Sequence, residues 1–171
     1  MIPTVTFLSL VAVVGVTGNG LVLFVYARRF SKTPLRILII AMAGFDIVTN
    51  TVVVPGEIYD SYHFWDFDNP LLCQIRQFIN ASAIIASNSI LLAIAVTMYR
   101  KICRPFCRQV DAAQAKVISV AIAVVAMIFS VPYAIIHGRQ KKSTHVLGVD
   151  GYFCEVDDNY KQTIWPTINS G

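Results

Sequence analysis

Four long runs of uncharged residues constrain this fold more than any other feature. They cover residues 5–27, 37–56, 77–99 and 117–136, and the only charged side chain within them is Asp46. About 20 apolar residues in a helix, each rising 1.5 Å, cross roughly 30 Å of hydrocarbon. None of the runs shows the polar stripe every 3.6 residues that is typical of a soluble surface helix. The runs therefore predict four membrane-spanning helices, and buried core helices of a large soluble protein are the alternative.

The composition supports a membrane protein. Charged residues make up 14% of the 171 residues and hydrophobic residues 56%, with a mean hydropathy of +0.61. So many apolar side chains exclude disorder, and so few charges leave too little polar surface to cover a soluble core. The net charge of +4 indicates no nucleic-acid partner, because the basic residues do not cluster on one exposed face. The first run lacks a basic leader and a cleavage site, so we expect a span and not a signal peptide.

The runs and their flanking residues predict the segments of the chain. The spans lie at about 5–28, 36–59, 71–102 and 113–137, an outer loop follows at 138–162, and a fifth helix begins at 163–171. In the polar loop, apolar residues flank the turn signal Val149-Asp150-Gly151, which predicts a short β-hairpin there.

The charges of the connections predict the orientation. The connections between spans one and two and between spans three and four hold nine basic residues and a single acid, Asp111. The opposite side holds five basic residues and eight acids. Short basic loops stay in the cytoplasm, so the amino terminus is expected outside.

This topology separates the four cysteines. Cys73 and Cys154 lie on the oxidising side, whereas Cys103 and Cys107 face the reducing cytosol. A bond between Cys73 and Cys154 would tie the hairpin over the helices, and two unpaired thiols are the alternative.

Polar residues inside the predicted spans mark candidate sites. A charge at the bilayer centre costs about 2.5–3.5 kcal/mol on insertion scales, so Asp46 must face other helices. Asn19 and Ser87 lie at comparable depths. A pocket for a small cation or water, formed by Asp46 and Ser87, is one interpretation, and a structural hydrogen-bond node is the other. Asn80, two helical turns inward from Cys73, would line a pocket open to the outside.

The order and spacing of several short motifs resemble the first half of a rhodopsin-like (class A) G-protein-coupled receptor. The resemblance covers essentially the whole chain. Its motifs are Gly18-Asn19, Ala43 with Asp46, Trp65-Asp66-Phe67, Cys73 followed by Met98-Tyr99, Pro105-Phe106, Pro132 and Cys154.

The resemblance implies an all-α membrane fold in which this chain supplies four helices of an incomplete seven-helix bundle, with a short extracellular hairpin. It assigns Asp46 and Ser87 to a sodium pocket with Asn19 nearby, and it implies the Cys73–Cys154 disulfide. It places a ligand pocket at Gln77, Asn80, Ala81 and Ile84. It places the surface facing a heterotrimeric G protein at Thr97, Met98, Tyr99, Arg104, Pro105 and Phe106.

Four positions described below depart from the pattern of that family. Its Asp-Arg-Tyr triplet reads Thr97-Met98-Tyr99, and Arg100 cannot substitute because it points about 200° away on the helix. The frequent Asn four residues before Ser87 is Ala83, which weakens ion binding. The fourth-helix Trp is Ala123.

The resemblance implies a plasma-membrane receptor for an extracellular ligand. Pro55 and the acidic outer loop resemble those of peptide receptors and favour a peptide ligand, with a basic peptide as one option. An amine ligand is disfavoured because Asn80 carries no charge. We expect no enzyme, since the three histidines, His63, His137 and His145, form no catalytic set. The alternatives are a four-span scaffold or a dominant-negative partner that pairs with a full-length receptor through Ala121, Ala123 and Ala126.

Overall fold

The computed structural model describes residues 2–29, 31, 33–62, 69–143 and 150–156. Its elements are α1 (Ile2–Arg29), α2 (Pro34–Val48), a π-helical turn (Thr49–Val53), α3 (Val54–Tyr62), α4 (Pro70–Cys103), α5 (Ala112–Ile136), β1 (His137–Ser143) and β2 (Asp150–Val156). Four helical segments within these residues are long and apolar enough to cross a membrane. The predicted four-helix membrane fold is therefore confirmed, with α2, the π-helical turn and α3 forming the second span.

The π-helical turn has a local cause in Pro55. Proline has no N–H group, and its ring would collide with the carbonyl of the residue four positions earlier in an α-helix. The backbone widens instead, and the N–H of Val54 donates to the carbonyl of Thr49, five residues back. The side chains of Thr49, Asn50 and Thr51 each donate to a carbonyl four residues earlier. The segment thus keeps its polar backbone groups paired inside the span.

Side-chain caps define where three helices begin. The side chains of Thr33 and Asn69 each accept a backbone N–H from the first turn of α2 and α4, and a proline follows each cap. Asp111 and Gln114 form a reciprocal capping box at the start of α5. These contacts satisfy amides that have no partner within their own helix.

The spans alternate in direction, which gives the bundle two sides. The hairpin of β1 and β2 lies at one side, named the hairpin side, and the connections between α1 and α2 and between α4 and α5 lie at the other, named the basic side. α4 contacts α2, α5 and both strands. Leu38, Ile90 and Ala115 are fully buried where α2, α4 and α5 meet.

α1 packs along the second span, and Gly15 makes a close contact there. None of the residues in the apolar stretch of α1 is fully buried. Gly15 nevertheless lies directly against the side chain of Asn50. A Cβ at Gly15 would lie 2.4 Å from the Oδ1 of Asn50. The Nδ2 of Asn50 is held by the carbonyl of Asp46 at 2.7 Å, so the amide cannot move away without losing that bond.

The hairpin is present, but its predicted turn is wrong. Asp150 and Gly151 begin β2, and β2 pairs antiparallel with β1, a polar strand that includes Gly138. The apolar pattern missed β1 because pairing there depends on backbone hydrogen bonds and on a covalent link at Cys154. The loop between the strands, the Trp65-Asp66-Phe67 motif and the predicted fifth helix at 163–171 lie outside the described residues.

We expect Gly15→Ala to lower the free energy of unfolding by about 1–3 kcal/mol, the usual cost of overpacking. Gly18→Ala is the matched control, since a Cβ at Gly18 meets nothing within 4 Å. Unfolding of the purified chain in mixed micelles, titrated with SDS and followed by helical circular dichroism, measures both variants. Equal stabilities of the two variants would contradict the close contact.

Candidate functional site

A disulfide fixes the hairpin to the bundle. Cys73, which is fully buried near the start of α4, bonds to Cys154 of β2, with the two Cα atoms 5.6 Å apart. The bond closes a segment with a sequence separation of 81. The predicted disulfide is therefore present, and it places β2 over the start of α4.

A buried arginine beside this disulfide is the main feature that the sequence analysis missed. Arg76 is 5% exposed. Its Nη2 lies 2.5 Å from an oxygen of Asp60 and 3.2 Å from the Sγ of Cys154, and its Nε lies 3.7 Å from Glu57. In the sequence these residues counted only toward the net charge of the outer side. Glu57 and Asp60 are one helical turn apart, and an arginine lies near the start of the next span. This spacing could have predicted the cluster.

The cluster links the second span, α4 and the hairpin. Glu57 and Asp60 belong to α3, Arg76 to α4 and Cys154 to β2. Arginine suits this position because its planar guanidinium presents several donors in different directions. Gly56 makes room for it, since a Cβ there would lie 2.5 Å from the Cδ of Arg76. Two carboxylates against one guanidinium leave a formal charge of −1, and the side chain of Glu57 stays 42% exposed.

The predicted ligand-pocket residues follow Arg76 along α4 and differ in exposure. Gln77 and Asn80 are half-buried, and Ala81 is buried. Ile84 is 51% exposed. The side of α4 that carries Ile84 is thus open within the described residues, while Ala81 packs inside.

Asp46 and Ser87 come together inside the bundle. The Oγ of Ser87 donates to the Oδ1 of Asp46 at 3.2 Å, across the interface between α2 and α4. Asn19 behaves differently, because its Nδ2 donates to the carbonyl of Gly15 in its own helix. The site therefore offers one carboxylate and one hydroxyl, and buried Ala83 adds no further oxygen.

On the basic side, the residues predicted to face a G protein divide into buried and exposed. Thr97 is buried and donates to the carbonyl of Ala93, whereas Met98 and Tyr99 are 40% and 55% exposed. Phe106 is fully exposed, and Arg104 and Pro105 are also exposed. The exposed apolar residues Pro105 and Phe106 thus lie between basic residues of the loop.

Gln109, which the sequence analysis missed, organises this loop. Its Nε2 donates to the carbonyls of Arg104 at 2.8 Å and Cys107 at 2.9 Å. Arg100 donates from Nη2 to the carbonyl of Arg108 at 2.8 Å. Arg100 is therefore engaged with the loop, and the loop after α4 is held by side-chain contacts to its backbone.

One expected surface is not available. Ala126, proposed for packing against a second receptor, is 1% exposed because it lies inside this chain's own bundle. A pairing surface that includes Ala126 is therefore wrong.

Four candidate membrane spans among the described residues, a disulfide-tied hairpin and an Asp–Ser pair between the second and third spans define a helical membrane protein. Residues 18–169 match the profile of the seven-transmembrane receptors of the rhodopsin family, and the chain belongs to this family.

Individual relatives are similar at moderate identity. The chain is 27% identical over 141 residues to the neuromedin-U receptor 2 of Mus musculus, which covers 80% of this chain and 36% of that protein. It is 28% identical over 130 residues to the neuropeptide S receptor of Homo sapiens, covering 75% and 34%. Identity to the neuromedin-U receptor 1 of Mus musculus is 30% over 138 residues, covering 78% and 32%. The chain thus spans about a third of the length of these relatives.

We expect Arg76→Gln to lower the free energy of unfolding by about 2–4 kcal/mol, because Asp60 would remain largely buried without its partner. Adding Asp60→Asn should restore part of this loss. Arg28→Gln is the control, since its guanidinium lies against the ring of Phe24 at 4.8 Å and should matter by less than about 1 kcal/mol. Denaturant titration in mixed micelles gives the stabilities of the unchanged chain, of Arg76→Gln, Asp60→Asn and their combination, and of Arg28→Gln. Additive effects of the Arg76 and Asp60 changes would refute the ion pair.

Proposed function

We propose that this chain is the first four-helix part of a plasma-membrane receptor that binds an extracellular peptide and signals through a heterotrimeric G protein. One observation carries the proposal: the family match spans residues 18–169, and the relatives include receptors named for neuromedin U and neuropeptide S. The chain corresponds to about a third of these relatives, so we propose that signalling requires further helices of a complete parent.

The charge distribution supports an orientation with the hairpin outside. The basic side carries the residues Arg28, Arg36, Arg100, Lys101 and Arg104, and short basic connections remain cytoplasmic. The Cys73–Cys154 bond agrees with this orientation, because disulfides persist on the oxidising side of a membrane.

The hairpin side has features that suit a peptide with a basic group. The cluster of Glu57, Asp60 and Arg76 has a formal charge of −1, and Glu57 is the most exposed of its partners. Gln77 and Asn80 lie further along α4 and offer amides that can bond to a peptide backbone. We propose that a peptide enters beside the hairpin and contacts these residues.

The basic side differs from the receptor pattern at the position where an arginine is expected. Met98 offers no charge there, and Arg100 is bonded to the loop. The exposed Phe106 would then be the main apolar contact for a G protein, with Arg104 beside it. We propose that coupling in the parent depends more on this loop than on the end of α4.

A chimera tests the peptide receptor. Residues 1–171 are continued with the remaining part of the mouse neuromedin-U receptor 2, and nucleotide exchange is measured with neuromedin U. We expect Asn80→Phe to raise the half-maximal concentration at least about tenfold, equal to roughly 1.4 kcal/mol of binding. Asn88→Phe, at an exposed position of the same helix, should change it less than about threefold. Residues 1–171 alone should give no stimulated exchange.

Two results would contradict these proposals. Exchange stimulated by residues 1–171 alone would refute the need for further helices. A chimera that is expressed at the membrane but responds equally after Asn80→Phe would refute the pocket.

The same chimera tests the end of α4. Changing Thr97→Asp together with Met98→Arg should increase nucleotide exchange. An unchanged response would show that the presence of Met98 in place of arginine does not weaken coupling.

We also propose that Asp46 and Ser87 hold a sodium ion, with Asn19 nearby. The two residues supply a carboxylate and a hydroxyl oxygen, ligand types that hard cations prefer. They are too few for a full shell, so water or other parts of the parent would complete it. The ion, when bound, would offset the charge of Asp46 within the bundle.

Sodium should stabilise the chain by about 1 kcal/mol when its concentration is several times the dissociation constant. The melting temperature in sodium chloride should exceed that in choline chloride by roughly 2–4 °C at equal ionic strength. Asp46→Asn should remove the difference, and Asp111→Asn, which keeps its capping ability, should retain it. A difference that survives Asp46→Asn would exclude this site.

A further inference from the structure

A groove on the basic side lies between the ends of the second and fourth spans, outside the residues assigned above to ligand, sodium or G protein. Its volume is about 410 Å³. It is lined by Arg36, Ile37, Ile40, Ala112, Ala113 and Lys116. The two basic side chains and the two isoleucines give it one charged region and one apolar region.

The order of these residues along the helices separates the two regions. Arg36 is the third residue of α2 and Lys116 the fifth of α5, so both lie close to the helix ends on the basic side. Ile40 lies one turn further into the bilayer than Arg36, since residues four apart share a helix face. The charged region therefore lies at the membrane boundary, and the apolar region lies within the hydrocarbon.

Arg36 has donor capacity that the protein does not use. Its Nη2 donates to the carbonyl of Ala27 at 2.9 Å, which fixes the guanidinium at the end of α1. Its Nε is buried and bonds to no atom of the described residues. The anchored guanidinium presents its positive charge to the groove that Arg36 lines, and an anion there would be attracted to it.

The start of α5 adds a second attraction for an anion. Ala112 and Ala113 are its first two residues, and amides in the first turn have no acceptor within the helix. The helix dipole also favours negative charge there. The nearby acid Asp111 opposes an anion, but its Oδ1 is engaged by the N–H of Gln114 at 2.7 Å.

We propose that this groove binds an anionic glycerophospholipid, with the phosphate between Arg36 and Lys116 and an acyl chain along Ile37 and Ile40. This assignment goes beyond the proposed receptor function and relies on the proposed orientation only for the leaflet that supplies the lipid. Anionic lipids are concentrated in the cytoplasmic leaflet, which is the leaflet that the basic side then faces. The occupant is a lipid and not a free anion because four of the six residues that line the groove are apolar.

Native mass spectrometry of the 171-residue chain in detergent tests the site. The probes are dioleoyl phosphatidylserine, dioleoyl phosphatidylcholine and soluble glycerophosphoserine. We expect phosphatidylserine to bind more tightly than phosphatidylcholine, and the double variant Arg36→Gln/Lys116→Gln to weaken phosphatidylserine by roughly 30-fold, or about 2 kcal/mol. Glycerophosphoserine at equal concentration should not displace the lipid.

The matched control is Lys101→Gln/Arg104→Gln, which removes two exposed positive charges from the same side without touching the groove. It should weaken phosphatidylserine less than about threefold. Equal losses in the two double variants would overturn the proposal, because attraction would then be diffuse. Displacement by glycerophosphoserine would also overturn it, since the acyl chain would contribute nothing.

Arg36→Gln also removes the bond to Ala27, so folding is checked by helical circular dichroism and by retention of the disulfide. If the double variant unfolds, Lys116→Gln alone should weaken phosphatidylserine about fivefold. Unchanged binding in that folded variant would overturn the proposal.

Discussion

The hydrocarbon of a bilayer supplies no hydrogen-bond partner, and this constraint shapes every span of the chain. Backbone groups pair within helices, and polar side chains inside the spans mostly bond to their own helix. Thr17 donates to the carbonyl of Val13, and Ser130 donates to that of Ala126. Polar residues are therefore tolerated without being functional. A contact that leaves its own helix, such as that from Ser87 to Asp46, stands out against this background and identifies where the helices have a polar interface.

The number of spans and the disulfide could be predicted because both follow from simple properties of the chain. Length and hydropathy determine which segments cross a membrane, and the side on which a cysteine lies determines its partners. Arg76 could not be placed in the same way. Its burial depends on Gly56 leaving space and on Asp60 lying opposite, and neither relation is visible until α3 and α4 are packed together. The hairpin was found, but β1 has no apolar alternation from which its register with β2 could be predicted.

Side-chain contacts hold the loop that follows α4 on the basic side. α4 ends at Cys103, and the loop that follows is organised by Gln109 through two backbone carbonyls. Phe106 is presented at full exposure by this framework. Thr97, by contrast, bonds only to the carbonyl of Ala93 in its own helix, so among the described residues its hydroxyl ties the end of α4 to no neighbouring span. Among the described residues, Arg100 and Gln109 therefore connect the end of α4 to the loop, and the hydroxyl of Thr97 does not.

The π-helical turn has a consequence for the whole outer half of the second span. A widened turn accommodates one residue more than an α-helix would, and one residue corresponds to roughly 100° of rotation about the axis. Side chains after Val53 are consequently rotated about the helix axis from the directions that an uninterrupted α-helix starting at Asp46 would give them. This rotation directs Glu57 and Asp60 toward Arg76. Pro55, the second residue of α3, thus affects the direction of Asp60 five residues later, because it sets the rotation of α3 about its axis.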